Sequence, residues 1–369
     1  MIEIVEVKDK KQLKEFVTLP IDLYKNDPFY ALPLIKDMTE HLTDKNPFFN
    51  RAKAKFFIAY NNGKAAGRIA AIVNYAHLEF HNDNVGFWGL FECINNQTIA
   101  NALFDISRNF LIENNLQIMR GPMNLSINEE CGFLYEGFDT PSMIMIPYNP
   151  PYYNSLAEGY GMKKVKDLYC FLASVPDKLP QKIDKISRFA EKQGISVRTI
   201  SLNNLKQELY AFMEVYNDAW NENWGFIPIT KEEIDYMSEK LKPIALPELV
   251  IVAEKNGEPA GFFGAIPDFN EVLRKIRGRL TPLAIIKTLH YRRKIQSMRL
   301  LLFGVKKAFR HKGVESIMLR EAFKGALKYG FKNVEFSWIL EDNYETINLT
   351  QIINAKRYKI LRIYEKNID

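Results

Sequence analysis

Two stretches of the chain run apolar, break on the same pair of residues, and run apolar again. "KFFIAY", 55–60, meets Asn62-Gly63 and resumes as "AAGRIAAIV"; "ELVIVAE", 248–254, meets Asn256-Gly257 and resumes as "EPAGFFGAI". Asn-Gly between apolar runs is a strong hairpin signal, because both turn residues must accept positive φ. The two turns stand 194 residues apart.

The same spacing returns near each copy's end, where Asn149 with Gly161 matches Asn343 with Ala355. Each pair reads as a short Asn-capped helix followed by a final strand pair. Two matches at one offset predict two copies of one domain, 1–175 and 185–369, joined by the polar "PDKLPQKID". A long loop, 125–147, belongs to the first copy, and an insertion, 268–297, to the second.

In the second copy the pattern gives, in order, "SVRTIS" as a strand, "LKQELYAFMEVYNDAW" and "KEEIDYMSEKL" as helices, and the hairpin. "MRLLLFGV" then reads as a strand, "GVESIMLREAFKGALKYG" as a helix, "NVEFSWIL" as a strand and "NYETINLTQII" as a helix, before "RYKILRIYEK". With Gly313 opening its helix, Val314, Ile317, Met318, Ala322, Ala326 and Leu327 form one apolar stripe. The predicted fold class is α/β, a mixed sheet with helices on both faces.

Composition narrows the functions. A chain of 369 residues exceeds one ordinary core, and 47% apolar with 25% charged residues describes a globular chain rather than a disordered one. A net charge of +6 suits an anionic small ligand and is too modest to argue for nucleic acid. Cys93, Cys131 and Cys170 show no CxxC spacing and read as thiols of a reducing compartment. The start lacks a signal-peptide pattern and no apolar run reaches transmembrane length, so a cytoplasmic protein is expected. Oligomeric state is not legible. His77 and His81 lack further ligands, and no metal is expected.

The candidate chemistry centres on "VKKAFRHKGVE", 305–315, where a buried strand turns into a striped helix. Arg310, His311 and Lys312 stand beside the unpaired amides of a helix N-terminus, and Gly313 has no side chain to block close approach. The result is a cradle for a diphosphate. The first copy's counterpart, "GFWGLFECINNQTIANALF", has neither Arg nor Gly at that joint, so it is expected to bind no such ligand.

Val305, Arg310 and Gly313 in this stretch resemble the acyl-CoA-binding motif of the GNAT acetyltransferase superfamily, with Glu315 departing from its usual Gly or Ala. "SWILEDNYETINL" resembles that family's closing strand and helix. The resemblance implies tandem GNAT-like domains and direct transfer from acetyl-CoA or another acyl-CoA to a small-molecule amine. The donor's pantetheine arm would add along Leu301 to Val305, Phe303 and Val305 included, with strand 333–340 as the parted neighbour. Val314 and Asn343 would complete the cofactor contacts. Tyr344 is the implied proton donor to the leaving thiolate, with Glu335 and Glu341 as candidate bases and Glu129 and Glu130 of the long loop as further ones.

Trp220, Trp224 and Phe226 in "NDAWNENWGFIP" are candidate walls of the acceptor pocket, as are Glu129 and Glu130 of the long loop, which reads as a lid. The insertion from Glu271 to Arg299 holds nine Lys or Arg and one Glu, with the apolar run "LTPLAII" inside it. Such an element suits an acyl carrier protein, a membrane surface or the CoA 3′-phosphate. Two other readings stay open: transfer from acyl carrier protein, and a non-catalytic ligand-binding protein on the same fold.

Overall fold

The structure is a computed structural model and describes residues 1–278 and 281–368. Arg279 and Leu280, part of the predicted basic insertion and its apolar run, lie outside the described residues. The chain divides into two compact units: unit 1 is Met1–Tyr169, Asn270–Tyr291 and the stretch from Tyr358, and unit 2 is Cys170–Phe269 and Arg292–Arg357.

Unit 1 opens with β1 (Ile2–Glu6), α1 (Lys10–Leu23) and α2 (Ile35–His41). The hairpin β2 (Ala52–Asn61) and β3 (Lys64–Asn74) follows, then α3 (Tyr75–His81), β4 (Val85–Cys93), α4 (Gln97–Glu113), β5 (Ile118–Gly121), β6 (Phe133–Glu136), α5 (Tyr152–Gly159) and β7 (Lys163–Ser174). Unit 2 repeats the plan with α6 (Gln181–Lys192), β8 (Ile195–Thr199), α7 (Leu205–Ala219), α8 (Lys231–Leu241), β9 (Val250–Lys255) and β10 (Glu258–Pro267). The helices α9 (Asn270–Ile276) and α10 (Pro282–Tyr291) form the insertion and fall in unit 1; β11 (Ser297–Val305), α11 (Val314–Tyr329), β12 (Asn333–Leu340) and α12 (Tyr344–Ile352) follow in unit 2, and β13 (Lys356–Asn367) returns to unit 1 from Tyr358.

Both hairpins turn as their sequences require. Asn62 and Gly63 have φ of 50° and 77°, and Asn256 and Gly257 have 54° and 81°, so both central residues are left-handed in each turn. Strands run β1-β2-β3-β4-β5 in unit 1 and β8-β9-β10-β11-β12 in unit 2. In each the hairpin is antiparallel and the last two strands are parallel, β4 to β5 and β11 to β12. β13, from the chain's end, pairs antiparallel with β5 and β6 inside unit 1.

Three local expectations are corrected. Each copy ends in one strand of 12 residues rather than a strand pair, because neither β7 nor β13 contains Gly or Pro to turn on. Asn149 does not cap α5; its side chain accepts from Leu134 N at 2.7 Å and fixes β6, while Asn343 does cap α12 by accepting from Thr346 N at 3.1 Å. Leu327 leaves the α11 stripe and is exposed, whereas Val314, Ile317, Met318, Ala322 and Ala326 are buried.

Each unit has its own core. In unit 1, Trp88, Phe91, Phe104, Phe133 and Tyr153 pack β4 against α4 and α5. In unit 2, Leu209, Phe212 and Val215 of α7 pack on Val252 and Phe262 of the hairpin.

Candidate active site

β11 and β12 pair in register for four residues, from Ser297↔Asn333 to Leu300↔Phe336. Beyond Leu300 they part. β11 keeps its other neighbour there, with Phe263↔Phe303 and Phe262↔Gly304 across to β10. Among the described residues, its edge from Leu301 to Val305 therefore has no strand in register on the β12 side. A cleft of about 520 Å³ opens at this end of unit 2, lined by Phe303, Gly304 and Val305 of β11, Leu340 of β12 and residues of the loops above.

A short 3₁₀ turn, Lys307–Phe309, leads from β11 to α11. Gly313 is the N-cap of α11 at φ 77°, and no side chain caps the helix. The first-turn amides thus carry their partial positive charge uncovered by a side chain. Arg310 and His311 line the cleft, and Arg310 Nη2 donates to Ala219 O at 3.1 Å. Lys312 folds back instead, its Nζ donating to Ala308 O at 2.8 Å and lying 5.3 Å from the Phe309 ring centre. Gly313 makes its close approach to α6: a Cβ there would stand 2.9 Å from Ile186 Cγ2 and 3.0 Å from Ile186 O. Val314 is buried on the α11 stripe.

The loop's other cations already have carboxylate partners. Lys307 Nζ meets Glu222 at 2.6 Å, and Lys306 Nζ lies 3.4 Å from Glu258 and 3.5 Å from Glu214. The Lys307 hydrogen bond holds the exposed Glu222 carboxyl below its ordinary pKa. Glu222, Glu315, Asp342 and Glu345 all line the cleft, so its rim is richer in carboxylates than the sequence motif alone suggests.

Trp220 and Trp224 form one wall. Gly304 makes room for Trp220: a Cβ at Gly304 would fall 2.5 Å from Trp220 Cη2. Phe226 is buried behind them, its ring 5.2 Å from Tyr216, and does not line the cleft. Asn343 and the exposed Tyr344 also line the cleft. Glu335 is fully buried in β12, accepting from Ser337 Oγ and lying 3.5 Å from Arg299 Nε. Neither it nor Glu341 lines the cleft.

Unit 1 treats the same junction differently. β4 and β5 pair for three residues, Val85↔Ile118 to Phe87↔Arg120, and the chain then closes the gap itself. Met123 N donates to Trp88 O at 2.7 Å, and Leu90 N donates to Asn124 Oδ1 at 2.8 Å. Any Cβ at Gly89 would sit 1.7 Å from Met123 O. The N-terminus of α4 is capped too, with Asn96 Oδ1 accepting from Ile99 N at 3.1 Å.

A second cavity, of about 320 Å³, lies within unit 1 and holds polar residues the sequence reading passed over. Arg68 and Glu92 face each other across β3 and β4, 3.5 Å apart and almost fully buried. Tyr24 and Tyr153 each donate to Glu92 Oε2 at 2.8 Å. Burial pushes the Glu92 carboxyl above the usual carboxylate range, against the pull of Arg68. Glu129 lines the same cavity and meets His41 Nε2 at 2.8 Å; Glu130 lines it too, accepting from Asn124 Nδ2 at 3.4 Å. The signal was present: Glu92 is the lone charge of β4, and Arg68 is the lone charge within the apolar run 65–73 of β3. Of the predicted site residues, Glu129 and Glu130 line one cavity; Trp220, Trp224, Phe303, Val305, Arg310, His311, Asn343 and Tyr344 line the other; and Phe226, Lys312, Gly313, Val314, Glu335 and Glu341 line neither.

The His77 and His81 ring centres lie 4.3 Å apart with the rings tilted by 32°, and His77 Nε2 lies 3.1 Å from Asp83. No cluster of three or more metal-ligating side chains occurs among the described residues.

Two units of one plan, each with a parallel strand pair beside a helix N-terminus, define a tandem GNAT fold. Solved structures agree. A tandem GNAT protein from the clavulanic acid biosynthesis pathway superposes with TM-score 0.62 at 12% identity, over 100% of this chain and 99% of that one. A GCN5-related N-acetyltransferase from Sphaerobacter thermophilus gives 0.56 at 12% identity, over 100% and 96%. No family model matches the sequence. The bacterial ceramide synthase of Caulobacter vibrioides is 32% identical over 99% of this chain and 97% of its own length, and protein YghO of Escherichia coli is 30% identical over 98% and 94%. The chain belongs to the family of that bacterial ceramide synthase.

Proposed function

We propose that the protein is an N-acyltransferase that moves a fatty acyl group from a pantetheine thioester to the amine of a long-chain amino alcohol. The observation that carries the donor half is the parting of β11 and β12 beyond Leu300 and Phe336, next to a helix N-terminus that no side chain caps. A pantetheine arm carries amide groups that can add to an open strand edge, and its phosphate suits uncovered helix amides. The acceptor half rests on the relative named a ceramide synthase, since a ceramide is by definition the amide of a fatty acid and a long-chain amino alcohol.

In the reaction the neutral amine attacks the thioester carbonyl. The C–N bond forms, the C–S bond breaks, the amine loses a proton and the departing thiolate gains one. Tyr344, exposed at the cleft, is assigned the proton to the thiolate, and Arg310 the donor's phosphate. Trp220 and Trp224 supply the apolar wall. Glu335 is too deeply enclosed to serve as base, which leaves the cleft's own carboxylates or water for that step. Unit 1, with its split closed by Met123 and Asn124 and its α4 end capped by Asn96, is taken as a copy that binds no donor.

The reading is tested by incubating the chain with palmitoyl-CoA and sphinganine, following thiol release and the amide product by mass spectrometry. Product formation with a donor KM raised about tenfold in Arg310→Ala supports it. A complete absence of thiol release and amide with both palmitoyl-CoA and palmitoyl-acyl carrier protein sinks it. A second donor is favoured by one observation: four carboxylates line the cleft, and coenzyme A brings more phosphate charge past them than does a carrier-bound phosphopantetheine. If acyl carrier protein is the donor, the same assay run with acyl carrier protein gives the larger kcat/KM.

A further inference from the structure

The insertion helix α10 is left unexplained by the acyl-transfer reading. Leu283, Ile285, Ile286 and Leu289 are 62%, 49%, 65% and 55% exposed, four large aliphatic side chains on one helix of ten residues. The other large apolar side chains exposed among the described residues are scattered along the chain. At about 100° per residue, Ile285, Leu289, Ile286 and Leu283 fall on one continuous arc of roughly 160°. Ala284, buried, and Thr288, half-buried, mark the opposite side, where the helix meets its own unit. Ile286 therefore stands at the outward crest.

The charges that flank this arc along the chain are of one sign. Lys287 is exposed on the helix, Lys275 and Arg277 are exposed just before it, and the chain leaves it through Arg292, Arg293 and Lys294, all exposed. No Asp or Glu occurs anywhere between Glu271 and Glu315. A short helix with an aliphatic crest, cationic flanks and no acid matches the requirements for lying in the headgroup layer of a bilayer. No described helix is long and apolar enough to cross a membrane, so contact would be along the surface.

We propose that α10 docks the protein on an anionic lipid surface, its Leu283–Leu289 face entering the headgroup boundary while the surrounding lysines and arginines pair with lipid phosphates. Two other occupants fit less well. An acidic carrier protein would be met by charges on the crest itself, and here the crest is aliphatic. A second copy of the helix would bring like charges together around the contact. The proposal goes beyond the catalytic reading and does not depend on it, because vesicle binding is read without turnover.

The test is co-sedimentation of the full chain with phosphatidylcholine vesicles, with and without phosphatidylglycerol. Pelleting with the anionic vesicles, at least about tenfold reduced in the Ile286→Glu/Leu289→Glu variant and weakened by salt, is expected. Both side chains are exposed, so an unchanged urea midpoint shows that this variant still folds. A second reporter is Ile286→Cys carrying an environment-sensitive dye, whose emission should move to the blue on anionic vesicles. The proposal is overturned if the wild-type chain stays in the supernatant, or if the double variant pellets equally well. It is also overturned if vesicle binding is absent while the variant abolishes a dimer or an acyl carrier protein complex.

Discussion

At the scale of single residues, two groups can be separated by experiment. Tyr344 is exposed at the cleft and has no structural duty, so Tyr344→Phe should leave the urea midpoint unchanged and lower kcat about 10²-fold, with KM for the donor little altered. An unchanged kcat would remove Tyr344 from the chemistry. Arg68 and Glu92 are the opposite case, buried and bonded, and their loss should appear in stability. Arg68→Met leaves Glu92 beside two tyrosines without its cation and should cost about 3 kcal/mol in urea unfolding. The Arg68→Met/Glu92→Gln double variant should recover part of that, because no buried charge is then left alone. A double variant whose loss equals the sum of the Arg68→Met and Glu92→Gln losses would show that the pair is not coupled.

At the scale of elements, the contrast between the two strand-to-helix joints is the informative one. α4 and α11 occupy equivalent places after equivalent strands, yet the Asn96 side chain caps one and no side chain caps the other. Asn96→Ala should lower stability by about 1 kcal/mol, the ordinary worth of such a cap, and should not create donor binding, because Met123 and Asn124 still occupy the strand split. Acyl-CoA binding gained by that variant, read by calorimetry, would contradict the view that the split matters more than the helix end.

The hairpins, most of the α11 stripe and the glycine that opens α11 were legible because each depends on local geometry: two left-handed turn residues, a 3.6-residue period, a glycine with positive φ. Gly313 shows where such reading stops. The sequence told that a small residue is required there, and the structure places Ile186, a residue far off in the chain, as the neighbour that requires it. The pairing of β13 with β5, the placing of Glu335 out of reach, and the neutralising of Lys306 and Lys307 by Glu214, Glu258 and Glu222 are likewise products of long-range contact. Residue patterns alone do not encode which carboxylate a lysine will find.

At the scale of the whole molecule, folding should respond to mild acid through one buried histidine. His77 is 2% exposed, and burial, the largest influence on it, lowers its pKa from 6.5 to about 4, with Asp83 pulling the other way. The folded chain therefore keeps His77 neutral in a range where the unfolded chain binds a proton. Stability depends on pH with the sign of protons bound by the unfolded state minus those bound by the folded one, so it rises with pH across this window. The contribution is complete above about 6.5 and is lost as the pH falls toward about 4, amounting to at most ~3 kcal/mol. His77→Gln keeps a hydrogen-bond donor for Asp83 and removes the titration. Urea unfolding of both proteins from pH 7 downward should give a shallower loss for the variant between those limits, and parallel curves would show that other groups govern the acid limb.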